Sequence, residues 1–224
     1  MGVMGCAPAT TPTPSAPAAE PAAAAGASEA TPIEPQMPFA VEDGFRLLSL
    51  ADFEAHGAED STWTAFDNTL RSTGKPKGYL YSKDTFQNFT LRLSYRFPRP
   101  DNLPDETKFK GNTGFLVYIS GEHKIWPVCL EVQGKHVQMG AIKENGGAQA
   151  PEVTDRDDVR QRARKPVGQW NDLEIVSRDG ALTVLLNGQE VARSQPAFLS
   201  SGAIGIQAEE HPFEVRNLRV RVDP

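Results

Sequence analysis

The sequence has no apolar run of the roughly 20 residues that a bilayer-spanning helix needs. It has only two cysteines in 224 residues, Cys6 and Cys129, so no disulfide framework organises it. Its four histidines, His56, His123, His136 and His211, are scattered, and no pair has metal-ligand spacing. The acidic run Asp155-Arg156-Asp157-Asp158 lacks the Gly and the closing Glu of a calcium-binding loop and reads as solvated. No cofactor is expected from these patterns, and a divalent metal is left open. Strong amphipathic helix signals and internal repeats are also missing. Residues 51–56 have room for a helical turn or two, and residues 152–165 read as an exposed charged loop with at most a short helix, because they carry no apolar stripe.

Positive charge is missing from one stretch altogether. Residues 7–38 contain 11 Ala and 8 Pro but no Lys or Arg, and Glu20, Glu29 and Glu34 are their only charges. Such a segment has too little apolar bulk to offset its ordering entropy, so it is expected to be a disordered linker. The remaining residues, 39–224, hold 26 acids and 23 bases and are long enough for one domain with a sizeable core. Their mixed, nearly balanced charge gives no electrostatic case for binding nucleic acid. The opening Met1-Gly2-Val3-Met4-Gly5-Cys6 is similar to the end of a bacterial lipoprotein signal, although only five residues precede Cys6. Residues 1–6 are therefore read as a signal remnant, Cys6 as a lipidation site and residues 7–38 as the tether. The expected location is periplasmic or at the cell surface, with the membrane touched only through the lipid.

Strand patterns dominate the body. Phe89, Leu91, Leu93, Tyr95 and Phe97 alternate with Thr90, Arg92, Ser94 and Arg96, which is the period of a half-buried strand. Residues 114–119 form a second apolar run. Residues 172–194 read as three strands joined at Arg178-Asp179-Gly180 and at Asn187-Gly188, and Asn-Gly is the strongest two-residue hairpin signal. Residues 203–207 and 213–222 add two more. In the last of these the apolar phase slips by one between Val215 and Leu218, which predicts a β-bulge at Arg216-Asn217. Many short strands with Gly and Pro turns argue for an all-β sandwich.

The segment Trp126-Pro127-Val128-Cys129-Leu130-Glu131-Val132-Gln133 is the most informative. Val128, Leu130 and Val132 make an apolar face, while Cys129, Glu131 and Gln133 share the other side. A Trp at the start of a strand that presents an acid and an amide is the equipment of a sugar-binding sheet. A solvated face of an antiparallel strand is the competing reading.

Six motifs stand in register. They are Gly111-Asn112-Thr113-Gly114-Phe115, the Trp126 to Gln133 segment, Gly168-Gln169-Trp170-Asn171, Asn187-Gly188, Gly202 to Glu209, and Val215-Arg216-Asn217-Leu218. In this order they resemble the bacterial domain once called DUF1080, described as a 3-keto-disaccharide hydrolase or 3-keto-glucoside lyase/hydratase. The resemblance covers residues 45–222; Thr113, Gln169 and Val215 depart from the family's usual Ser, Glu and Phe. It implies a concanavalin A-like antiparallel β-sandwich (jelly roll), often exported or lipoprotein-anchored, and a carbohydrate as partner.

The implied chemistry begins with a ketone at sugar carbon 3. That ketone acidifies the proton on carbon 2, a base removes it, and the glycosidic oxygen then leaves carbon 1. The site needs a base, a stabiliser for the enolate and an acid. Glu131 is the first candidate for base or acid because a mid-strand position is fixed by the sheet. Glu209 and Gln207 leave their strand on one side together and are expected to join the same concave face. Asn112 and Gln133 are expected to hold hydroxyls, Trp126 to stack on a sugar or to pack in the core, and His123 to lie nearby or simply at the surface. Arg216, re-aimed by the bulge, is a candidate for stabilising the enolate or for pinning the bulge alone. Trp170-Asn171 reads as core packing. The Glu-x-Asp-x-x-Glu strand of retaining β-glucanases is absent, which disfavours ordinary glucanase activity. The alternative functions are a non-catalytic carbohydrate-binding domain and a structural surface domain.

Overall fold

The computed structural model describes residues 1–3, 39–58 and 60–224. Cys6 and the linker read over residues 7–38 lie outside the described residues. Phe39–Pro224 forms one compact unit. Its strands in chain order are β1 (Arg46–Leu47), β2 (Phe53–His56), β3 (Trp63–Phe66), β4 (Thr69–Ser72), β5 (Gly78–Phe86), β6 (Phe89–Arg96) and β7 (Gly114–Ser120). They continue with β8 (Val128–Gln133), β9 (Ile142–Asn145), β10 (Val153–Asp155), β11 (Asn171–Arg178), β12 (Ala181–Leu186), β13 (Gln189–Ser194), β14 (Gly202–Ala208) and β15 (Phe213–Val222). The larger sheet runs β10-β13-β12-β11-β6-β15-β4-β3, with β1 also on β15. The smaller runs β2-β5-β14-β7-β8-β9. The strand pairings are antiparallel, as the sandwich expectation requires.

The alternation in β6 does what its period implies. Phe89, Leu91, Leu93, Tyr95 and the following Phe97 are all buried in the core between the sheets. The smaller sheet answers with Phe115, Val117, Leu130, Val132, Ile204 and Ile206. Each such side chain contributes roughly 1.5–3 kcal/mol of apolar burial, so the inner faces are the main source of stability. Leu186 pairs with Gln189, which leaves Asn187-Gly188 as a two-residue turn with φ of 49° and 79° at its two positions. In β15 the register slips between Arg216 and Arg219, and Asn217 takes φ 54°, so Val215 and Leu218 both reach the core. That is the predicted bulge.

Two segments differ from expectation. Residues 51–56 hold less helix than they have room for: a single 3-10 turn at Leu50–Asp52 leads straight into β2, which pairs with β5 and buries Phe53. A helix that short would satisfy almost none of its own backbone groups, whereas the edge of β5 offers a ladder. Residues 152–165 are also more ordered than an exposed loop. They make β10 and a helix, α1 (Asp157–Ala163), held by Arg160, which is only 2% exposed. Arg160 pairs with Asp155 and Asp157 and donates to the Met139 carbonyl at 2.9 Å. The acids read as solvated thus serve a buried cation, an anchor that leaves no apolar stripe. Among the described residues no helix is long and apolar enough to cross a membrane.

Candidate functional site

Antiparallel pairing sends Leu130 and Val132 into the core and therefore turns Glu131 and Gln133 to the opposite face of the smaller sheet. On that face one row crosses all six strands: Glu54, Tyr81, Gly205, Leu116, Glu131 and Lys143. Glu131 and Lys143 are cross-strand neighbours at one side, and Tyr81 donates to Glu54 at 2.6 Å on the other. Gly205 between them carries no side chain. Next to it, His56, Tyr79 and Gln207 pair across three strands, and Gly114 pairs with Gln133 across two more. Gly114 is essential to the geometry. A Cβ there would lie 2.4 Å from Glu131 Oε1 and 2.9 Å from Gln207 Oε1, so the two side chains converge over the bare glycine.

Glu131 is 8% exposed. Burial, reinforced by the charge of Glu209, raises its pKa to about 7, against the opposing pull of Lys143 and a hydrogen bond from Gln133. Burial also raises the pKa of Glu209, whose Oε2 accepts from Asn112 Nδ2 at 2.6 Å. A short bridge between Asn112 and Glu209 fixes that pair beside the end of β14. Gln133 is committed on its acceptor side, where Oε1 takes the Lys135 N–H at 2.8 Å. Gln207 is 2% exposed, yet neither amide atom has a hydrogen-bond partner. A buried amide with both ends unmet, next to a carboxyl poised near neutrality, is what a hydroxyl-rich ligand would satisfy.

The connection between β7 and β8 folds back over this face. His123 stacks on Tyr81 at 4.0 Å between ring centroids and shares a 2.8 Å hydrogen bond with the Tyr79 hydroxyl. Burial pushes Tyr79 up to about 12. Beneath lie Leu116, Cys129 and Ala203, and burial together with Glu131 pushes the Cys129 thiol up to about 12. Trp126 is 40% exposed, and its ring has no aromatic or cation contact among the described residues, which leaves it free to stack on a ligand.

Glu131, Gln133, Gln207, Glu209 and Asn112 are therefore brought together as expected, with His123 beside them on Tyr79 and Tyr81. Arg216 is not. It lies on β15 in the other sheet, on the face opposite Val215, with its guanidinium 4.2 Å from the centre of the Trp170 ring. The bulge does not re-aim it: Arg216 keeps its regular place opposite Val215, the register slips only after it, and its sheet is the wrong layer for an enolate formed near Glu131. Trp170 is likewise not core packing, since Arg96 and Arg216 both lie over it. Asn171 is the buried member of that motif; its Oδ1 accepts from Lys165 N and from Asn187 Nδ2. Tyr79, Tyr81 and Lys143 were missed by sequence reasoning. The only local signal for them was two tyrosines in one phase of β5. Among the described residues no three His, Cys, Asp or Glu side chains are grouped to hold a metal.

Residues 43–221 match the family described as the 3-keto-alpha-glucoside-1,2-lyase-like domain. The chain belongs to this family. No curated protein matches it. Among solved structures it is similar to a proposed glycosyl hydrolase from Parabacteroides distasonis, with a TM-score of 0.61 and 16% identity over 81% of this chain and 94% of that one. A second proposed glycosyl hydrolase from the same organism gives 0.55 and 21% over 75% and 93%. The carbohydrate-binding module CBM66 from Bacillus subtilis gives 0.50 and 12% over 72% and 92%. At these identities the structural likenesses establish the shared fold. Membership of the lyase-like family ties the chain to carbohydrate.

Proposed function

We propose that the domain is a carbohydrate-active enzyme that cleaves a 3-keto-glycoside, with Glu131 as its proton-transfer group. The observation that carries this reading is a carboxyl held rigidly in mid-sheet with a pKa near 7, next to a second carboxylate and an unsatisfied amide. In this reading Glu131 takes the proton from carbon 2, and the electron pair moves onto the ketone oxygen as an enolate. The enolate re-forms the ketone as the glycosidic oxygen leaves carbon 1, taking the proton that Glu131 had accepted and so restoring its carboxylate. Water then adds across the resulting double bond. Lys143, across the ladder from Glu131, supplies the cation for the enolate that the sequence suggested in Arg216. Asn112, Gln133 and Gln207 hold hydroxyls, and Glu209 keeps Glu131 protonatable near neutral pH. General acid–base groups contribute roughly a hundred- to ten-thousand-fold, so Glu131 carries a large share of the rate.

A second reading is a non-catalytic carbohydrate-binding module, which the free Trp126 ring and the Tyr81–His123 stack favour. One experiment separates the two: incubation with a panel of 3-keto-glycosides and their unoxidised counterparts, following sugar release. The enzyme reading expects release from the keto sugars alone. Binding to either set without release leaves only the module.

The proposal extends to location. Gly5-Cys6 followed by an Ala/Pro-rich stretch supports a lipoprotein whose Cys6 is acylated and whose residues 7–38 tether the domain outside the cytoplasm.

A further inference from the structure

The larger sheet has its own outward face, and its charges are nearly all spoken for. Arg92 pairs with Glu42 and Glu174, Arg219 grips Glu42 through two nitrogens, and Arg96 pairs with Glu214. Arg216 is different. It forms no ion pair among the described residues, and its buried Nε has no acceptor. Burial lowers its pKa, Asp172 offsets this in part, and the like charge of Arg96 adds to it. A partly desolvated guanidinium without a counter-ion is a standing cost to the fold, because a cation taken out of water is stable only when paired. Its guanidinium carbon rests 4.2 Å from the centre of the Trp170 ring, a contact that restricts where its donor fork can point.

Arg216 opens into a groove of about 420 Å³, within the roughly 300–1,000 Å³ of small-ligand sites. The other groups that matter there are Ser94, Asp172, Glu174, Leu185 and Gly188. Register sets Arg216 beside Ser94, and Ser94 beside Asp172, with the Ser94 hydroxyl donating to Asp172 at 2.6 Å. Arg92 and Arg219 also line the groove but are taken up by Glu174 and Glu42, so Arg216 is left to match a single negative charge rather than a compact polyanion such as phosphate. Asp172 and Glu174 can still accept hydrogen bonds from hydroxyls, and Leu185 offers an apolar patch to the C–H face of a ring. One carboxylate for Arg216, several hydroxyls for the acids and a C–H face for Leu185 describe one chemical class.

We propose that this groove is a second binding site, on the sheet opposite Glu131, for a sugar acid whose carboxylate docks on the Arg216 guanidinium. The site is independent of the reaction at Glu131.

The test uses the full chain with glucuronate as the probe, and glucose and inorganic phosphate as controls, read by ligand-observed NMR and calorimetry. Glucuronate is expected to bind at least tenfold more tightly than glucose or phosphate. Arg216→Gln removes the charge-assisted fork and should weaken glucuronate about ten- to a hundredfold. Glu131→Gln should leave that affinity unchanged. If Arg216→Gln does not fold, Leu185→Trp, which fills the groove and spares the guanidinium, must abolish binding instead. The proposal is overturned by no glucuronate binding, by equal binding of glucose, or by phosphate binding as tightly, which would mean an adventitious ion only. Binding that survives both groove variants, or is lost in Glu131→Gln, also overturns it.

Discussion

Glu131 and Lys143 face each other across the β8–β9 ladder, one buried acid and one base on directly paired residues. Such a pair ordinarily keeps a carboxylate ionised. Here burial and Glu209 outweigh the lysine, and Glu131 is left with a pKa of about 7.

The first prediction concerns pH. If Glu131 is the base, kcat/KM on a 3-keto-glycoside rises with pH and levels off above about 7, because the carboxylate is the active form. Removing the neighbouring charge with Glu209→Gln should move that midpoint down. A limb that falls through the same pH would make Glu131 the acid, and an unmoved midpoint would mean that the charge of Glu209 does not reach it.

The second concerns stability. Burial lifts the Glu131 carboxyl from its ordinary value of 4.5 to about 7 in the fold. A raised acid supports the folded state below its unfolded pKa and loses that support as pH rises through the folded value. Glu131→Gln should therefore unfold like the wild type at pH 4 and resist denaturant by up to about 3 kcal/mol more at pH 8. The same variant should lose a hundred- to ten-thousandfold of turnover. Equal denaturant midpoints at pH 8 would show that the carboxyl is not strained by its surroundings.

The third concerns Gly114. An added Cβ would lie 2.4 Å from Glu131 Oε1 and must displace that carboxyl. Gly114→Ala should lower kcat by roughly a hundredfold, the scale of a 1 Å misplacement, with a smaller effect on melting. Normal turnover in this variant would mean that the position of Glu131 is not critical.

The fourth concerns the anchor of α1. Arg160→Ala would leave the Met139 carbonyl without its donor, while the half-exposed Asp155 and Asp157 turn to water, and should destabilise the domain by roughly 1–3 kcal/mol in urea. Arg160→Lys, without the planar fork, should recover only part of it. A loss under 1 kcal/mol would relegate the cluster to surface decoration.

The fifth concerns Cys6. Behind an export signal, the chain should fractionate with membranes, and Cys6→Ser should release it. Identical soluble behaviour of both would remove the lipid anchor.

How much was legible follows from distance along the chain. The side of β8 that Glu131 takes, and the bulge that lets Val215 and Leu218 share a core, are set by neighbours one or two residues away, so alternation reveals them. Membership of a sheet is not local. β15 lies between β6 and β4, and β14 between β5 and β7, so no pattern within residues 213–222 says that Arg216 belongs to the layer away from Glu131. Tyr81 and Lys143 join the Glu131 row only through pairings that cross the whole domain. Arg160 escaped notice because a helix pinned by one buried cation has no apolar period to detect.

The lone thiol of Cys129 has a consequence of its own. It is fully buried beside Tyr79, Leu116, Ile119 and Ala203, and burial pushes its pKa up to about 12, which suppresses the thiolate at neutral pH. Oxidants and disulfide exchange act on the thiolate, and only when it is reachable. The folded domain thus resists cross-linking to another chain through Cys129, in oxidising and reducing surroundings alike.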